Sequence, residues 1–334
     1  MQETEAEMRF FLAAALMLAP PVARAEAPVL TVLAYDSFVS EWGPGPAITA
    51  GFEAVCGCRL RIIGAGDGAA LLARARLEGG RGAADVVVGL DSNLVAAARE
   101  SGLFAPHGVT AALDLPVAWS DPDFLPFDWG WFAFVHDRTR LADPPGGFEA
   151  LGQSDLRIIV QDPRSSTPGL GLVMWVEAAH GPRAAEIWAA LADNIVTVTP
   201  GWSEAYGLFL EGEADMVLSY TTSPAYHLIA EGDDTKAAAP FAEGHYLQIE
   251  VAGVLEGSDS PDLARAFLDY LVSEAAQAVI PETNWMYPAV TPAAGLPAGF
   301  ETLHRPERSL YLDPAEAEAL RGPAVMRWRD ALSR

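Results

Sequence analysis

Short apolar runs, each followed by a helix signal, constrain this chain more than any other feature. Val29–Ala34 (VLTVLA) is the first, Arg59-Leu60-Arg61-Ile62-Ile63 alternates and is the second, and Asp85–Leu90 (DVVVGL) is the third. Runs of this length, rich in β-branched residues, predict strands. Between them Pro46 opens a helix reaching Glu53, and Asp67 caps a helix over Ala69–Glu78 that Gly79-Gly80 ends. Ser92 caps a further helix that stops at Gly102. This βαβαβ rhythm predicts an α/β fold with a mostly parallel sheet covered by helices on both faces.

A second unit follows. Strands are expected at Phe132–Val135, after the Pro- and aromatic-rich stretch Asp121–Trp131, and at Arg157–Val160, Val196–Thr199, Asp215–Ser219 and Tyr246–Ala252. Helices are expected at Leu170–Ala179, Arg183–Ala192, Glu204–Leu210, Pro261–Val272 and Pro314–Leu332. A chain of 334 residues exceeds what one core ordinarily serves, so two lobes are expected. Without a low-complexity tract or a long linker, short crossovers join them rather than a flexible tether.

The N-terminus sets the compartment. Arg9 precedes the apolar run Phe10–Ala19, which is too short to span a bilayer, and Ala23-Arg24-Ala25 offers a small-x-small cleavage site. That pattern is a secretory signal peptide over residues 1–25, cut after Ala25. Glu3, Glu5 and Glu7 stand where positive charge is expected, which places the translation start at Met8. The chain has 21 basic and 45 acidic side chains. Such a balance repels nucleic acid and anionic membrane surfaces, attracts cations over long range, and keeps an exported protein in solution.

In open α/β sheets ligands sit beyond the carboxyl ends of strands. Asp36 and Ser37, Asp91, the loop Gln161–Gly171 and Tyr220–Ser223 all fall there. Aromatic residues accompany them in Tyr35–Phe38, Trp202–Gly207, Ser219–Tyr226 and Asn284–Pro288. Rings beside short polar groups suit a flat, cationic, partly apolar molecule. The same rings would also serve to fill a large core. The small residues of Ser165–Gly171 leave amides open at a helix start, either as an anion site or as an ordinary cap. No Gly-x-Ser-x-Gly elbow, His-Glu-x-x-His pair or Cys/His metal cluster occurs, and the six histidines are scattered. Cys56-Gly57-Cys58 is read as a local structural disulfide, with a catalytic thiol as the alternative.

Taken together, Tyr35–Phe38, Trp42–Pro46, Leu90–Leu94, Gln161–Gly171, Gly201–Gly207, Ser219–Tyr226, Glu243–Gln248 and Asn284–Pro288 resemble the periplasmic thiamine-binding proteins of bacterial ABC importers. The resemblance runs from about Pro28 to the C-terminus, and the Cys-x-Cys pair looks like a family feature. It implies a two-lobed periplasmic binding protein fold of type II with two crossover hinge strands. Lobe 1 would comprise 26–130 plus 243–284, and lobe 2 would comprise 131–242 plus 285–334. It further implies a monomer that is not an enzyme and needs no cofactor. The chain would capture thiamine, thiamine monophosphate or thiamine diphosphate between its lobes and deliver it to a permease with an ATP-hydrolysing partner.

By the same resemblance Tyr35, Trp42, Trp202, Tyr220, Tyr226 and Trp285 form aromatic walls. Each desolvated stacking or cation–π contact contributes roughly 1–2 kcal/mol. Asp36 and Asp67 would hydrogen-bond the ligand or balance its charge, and Ser166 with the Asp67-Gly68 turn would receive phosphate oxygens. The chain departs from the family in its acidic first residues, in the tryptophans of Asp128-Trp129-Gly130-Trp131, and in the small Gly64-Ala65-Gly66 segment. The rival functions are a type I thiaminase with a cleft cysteine, and a type II receptor for polyamine or for iron(III) held by tyrosinates. A structural or adhesion domain accounts for the leader but not for clustered cleft aromatics.

Overall fold

The apolar runs pair into one continuous sheet in the computed structural model, which describes residues 27–79 and 84–333. In chain order the strands are β1 Val29–Ala34, β2 Arg59–Gly64, β3 Val86–Asp91, β4 Phe104–Ala105, β5 Phe124–Asp137, β6 Ile158–Gln161, β7 Ile195–Thr199, β8 Met216–Tyr220, β9 Lys236–Ala238, β10 His245–Leu255, β11 Tyr287–Pro288 and β12 Ser309–Leu310. Their order across the sheet is β2-β1-β3-β10-β5-β8-β6-β7, with the four shortest strands added at the sides. The outer pairs are parallel, as the βαβ rhythm predicts. The two long central strands run antiparallel to their neighbours.

Those long strands join the halves. Residues Phe124–Trp131 of β5 pair with β10, whereas Phe132–His136 pair with β8. The chain passes from one half-sheet to the other along β5 and returns through β10, whose eleven residues are all buried. Burial on both faces suits strands at the centre of a sheet.

Only Phe132–Val135 of β5 was legible as a strand, because Pro126 and the polar residues around it read as loop. The structure puts Pro126 beside a bulge: Glu250 faces Asp128 and Val251 faces Pro126, so Phe127 is left over. Proline is tolerated at such a break, where a missing N–H does not cost a ladder bond.

Two expected helix caps are absent. Asp67 occupies the N-cap of helix Gly68–Glu78 without a side-chain bond to it, and its carboxylate is used elsewhere. Helix Val95–Glu100 starts after Leu94, and the Ser92 hydroxyl is buried with no partner. The helix opened by Pro46 runs Gly45–Cys56, past Glu53, and ends at Gly57 in the left-handed region. Helix Pro314–Leu332 packs on helices Thr167–His180 and Ala184–Leu191 of the second half. By contrast β11 pairs with Asp128–Trp129, on the first-half side. The leader segment, the Met8 start and Gly80 lie outside the described residues. Among the described residues, no helix is long and apolar enough to cross a membrane.

Candidate ligand-binding cleft

The aromatic residues separate into two sets. Trp175, Trp188, Phe134 and Phe148 are fully enclosed and build the core of the second half. A second set surrounds a cavity of about 460 Å³ at the ends of β1 and β8 and beside β10. Tyr35, Trp42, Asp67, Trp202, Tyr220, Tyr226 and Trp285 all line it.

Each ring is fixed by its element. Tyr35 directly follows β1 and packs edge-on against Phe38, at 5.4 Å between centroids. Trp202 opens helix Trp202–Leu210, stacks on Tyr206 at 5.1 Å, and donates its indole N–H to Ser219 Oγ at 2.8 Å. Trp42 is 53 % exposed and leans toward Trp202, with centroids 6.2 Å apart. Tyr220 ends β8 and stacks on Phe132 at 5.0 Å. Tyr226 meets Trp285 edge-on at 5.6 Å. Trp285 is held at φ +55°, the one positive value for a non-glycine among the described residues. Such conformations cost about 1–3 kcal/mol and persist only where surrounding structure enforces them.

Three expected site residues do not line the cavity. Asp36 is exposed and accepts a hydrogen bond from the Gly66 amide at 3.0 Å, tying the segment after β1 to the loop after β2. Ser166 is buried and donates its hydroxyl to the Asp67 carboxylate at 2.8 Å. Gly68 donates its N–H to Thr167 Oγ1 at 3.1 Å, and a β-carbon there would overlap that hydroxyl. The Trp202 amide donates to Asp67 at 3.1 Å, and the Ala70 amide donates to the Ser165 carbonyl at 3.1 Å. The segment Asp67–Ala70 is thus stitched to Ser165–Thr167 and Trp202 from the other half. The start of helix Thr167–His180 meets a protein carboxylate, the charge its amides favour. Burial pushes that carboxyl up to about 6.

Several lining residues were not picked out as site residues from sequence. Tyr206 sits one helical turn after Trp202, and the i, i+4 spacing carried that signal. Its hydroxyl contacts His227 Nε2 at 3.0 Å, and His227 Nδ1 contacts Glu231 at 2.7 Å. Asn284 and Met286 belong to the Asn284–Pro288 run, where the neighbouring Trp285 carries the stronger signal. Glu250 was hidden in an alternating strand, where its one signal is an acid between Ile249 and Val251.

The cavity wall contains Asp67 and Glu250 but no lysine, arginine or histidine. Cys56 and Cys58 form a disulfide at the end of helix Gly45–Cys56 and do not line the cavity. Free thiols are therefore absent among the described residues, and a cleft cysteine nucleophile has no candidate. The phenols of Tyr35 and Tyr220 are pushed well up by burial and by nearby acids, chiefly Glu250.

The family model of the bacterial extracellular solute-binding proteins matches residues 46–283. The chain belongs to that family. A thiamine-binding periplasmic protein of Escherichia coli (strain K12) is 52% identical over 310 residues, covering 92% of this chain and 94% of the relative. A solved periplasmic thiamin binding protein superposes with a TM-score of 0.90 at 51% identity, covering 92% of this chain and 97% of the other. Iron-bound HitA from Pseudomonas aeruginosa, at 21% identity and a TM-score of 0.72, shows the type II fold alone, over 91% and 99% of the two chains. Within the family the chain falls among the thiamine-binding periplasmic proteins, and these relatives are binding proteins, not enzymes.

Proposed function

We propose that the chain is a periplasmic receptor that captures thiamine in the aromatic cavity and presents it to an ABC permease and its ATPase. The observation that carries this reading is a wall of seven aromatic rings with two carboxylates and no basic side chain. Thiamine is a flat aminopyrimidine joined to a thiazolium cation, and π faces with nearby acids suit both rings. A cavity of this volume suits a ligand of that size.

In this reading the lobes are 26–130 plus 243–284 and 131–242 plus 285–334, with β11 of the last segment reaching back to the first lobe's sheet, and they close on the ligand through β5 and β10. Closure requires that the ligand bind the closed form more tightly than the open one. Thiamine monophosphate and diphosphate are also ligands in this reading. Their phosphates would compete with the Asp67 carboxylate for the Ser166 hydroxyl and the Trp202 amide. The chain acts as a monomer without a cofactor, has no nucleic-acid partner, and reaches the periplasm through a leader cut after Ala25.

Native mass spectrometry of the purified protein, followed by calorimetry with thiamine, tests the proposal. Trp202→Ala is expected to weaken thiamine binding at least about tenfold, equivalent to ~1.4 kcal/mol, with the fold intact by circular dichroism. Unchanged affinity would remove Trp202 from the site, and absence of thiamine binding by the unaltered protein would sink the proposal.

A further inference from the structure

The floor of the cavity carries an arrangement that the aromatic wall does not explain. In the middle of β10, Glu250 lies in register with Asp91 of β3 on one side and Asp128 of β5 on the other. Residues directly opposed on antiparallel strands share a face at about 5 Å, where like charges destabilise. Asp91 and Asp128 are fully buried and Glu250 is 6 % exposed. None of the three forms an ion pair among the described residues. Both neighbours have an amide partner: Asn93 donates to Asp91 at 2.7 Å and Asn284 donates to Asp128 at 2.6 Å. Glu250 Oε2, Asp128 Oδ1 and the Tyr35 hydroxyl have none, and Glu250 and Tyr35 face the cavity. Bulges at Phe127 and at Gly89 flank this row on its two sides, which re-aims the side chains between them.

Buried carboxylates without a cation are costly, and removing that cost requires a proton or a positive partner. We propose that Glu250, backed by Asp128, is the counter-charge that selects a cationic ring over a neutral ring of the same shape. This assignment rests on the thiamine reading and adds to it the residue that reads ligand charge. The titratable groups facing Glu250 are Tyr35 just after β1, Asp91 from β3, Asp128 from β5 and Tyr220 from β8. All are acids or phenols, and burial raises the Glu250 carboxyl to about 7. The empty cleft therefore leaves the carboxyl partly protonated near neutrality and protonated below it. Arrival of the cation favours the carboxylate, and the displaced proton passes to solvent.

Calorimetric titration tests this with thiamine and with a neutral analogue in which a thiophene ring replaces the thiazolium. Titrations at about pH 5.5 and about pH 8, in two buffers of different ionisation enthalpy, report both affinity and proton release. The unaltered protein should prefer thiamine at least about tenfold at the higher pH, prefer it less at the lower pH, and release protons on binding at the lower pH. Glu250→Gln should bind the neutral analogue as before, shrink the preference to under about threefold, and cease releasing protons. A Glu250→Gln protein that keeps both the preference and the proton release overturns the assignment. Should that variant fail to fold, Asp128→Asn is expected to reduce both quantities, and no change in either overturns it. If the unaltered protein binds neither compound, the thiamine reading falls and takes this assignment with it. If it binds both equally at both pH values, only the charge assignment falls.

Discussion

Replacing Gly89 with alanine should damage the cleft through a single β-carbon. Gly89 is the bulged residue of β3: Val251 of β10 faces Leu90 and Ala252 faces Val88, leaving Gly89 unpaired. Its φ is +103°, and a β-carbon built there would overlap the Tyr35 ring, far inside a normal ~3.5 Å carbon–carbon contact. Alanine at that φ costs about 1–3 kcal/mol. Overpacking against a buried ring costs about 1–3 kcal/mol more. A sum of roughly 2–6 kcal/mol lowers the melting midpoint by on the order of 10 °C in a protein of this size.

Since Tyr35 must move, thiamine affinity should also fall at least about tenfold. The decisive assay is a double-mutant cycle with Tyr35→Ala, read by urea denaturation. Removing the ring relieves the overlap, so the double variant should be more stable than additivity predicts by about 1–3 kcal/mol. Strict additivity, or a Gly89→Ala protein with unchanged melting and affinity, would refute the argument.

Two further outcomes follow from the same geometry. Burial lifts Asp91 and Glu250 to about 7 from ordinary values of 3.8 and 4.5. Between those limits the folded, empty protein binds more protons than the unfolded chain, so their contribution to stability falls as pH rises. Urea midpoints of the unaltered protein and Asp91→Asn, compared at about pH 5 and about pH 8, should shift in favour of the variant at the higher pH. The paired change Cys56→Ser with Cys58→Ser should leave thiamine affinity within about twofold by calorimetry, because the bridge lies off the cavity wall.

Much of this architecture is legible in the sequence, because apolar runs and glycine or proline boundaries are local signals. The outer strands and most helices fall where periodicity puts them. Aromatic runs at the ends of β1 and β8 mark the cleft because the parallel strands of each half end at the cavity between them. What stays hidden depends on partners far along the chain. Asp67 resembles a helix cap, yet its carboxylate is taken by Ser166 and Trp202 from the other half. Ser166 resembles a phosphate donor until that partner is known. Pro126 argues against a strand until β10 supplies the bulge that accommodates it. The aromatics are ambiguous for the same reason: Trp175 and Trp202 are alike in sequence, and only packing assigns one to the core and the other to the cleft.

The position of β10 also governs how the chain assembles. β3 ends at residue 91 and β5 begins at residue 124, yet the strand that fills the gap between them starts only at His245. During synthesis two unsatisfied strand edges therefore persist until more than a hundred further residues have emerged. Contacts so distant along the chain make folding slow, and open edges invite pairing with other molecules. A fragment ending anywhere before residue 245 would lack the central piece of its own sheet, and should aggregate rather than survive as an independent half.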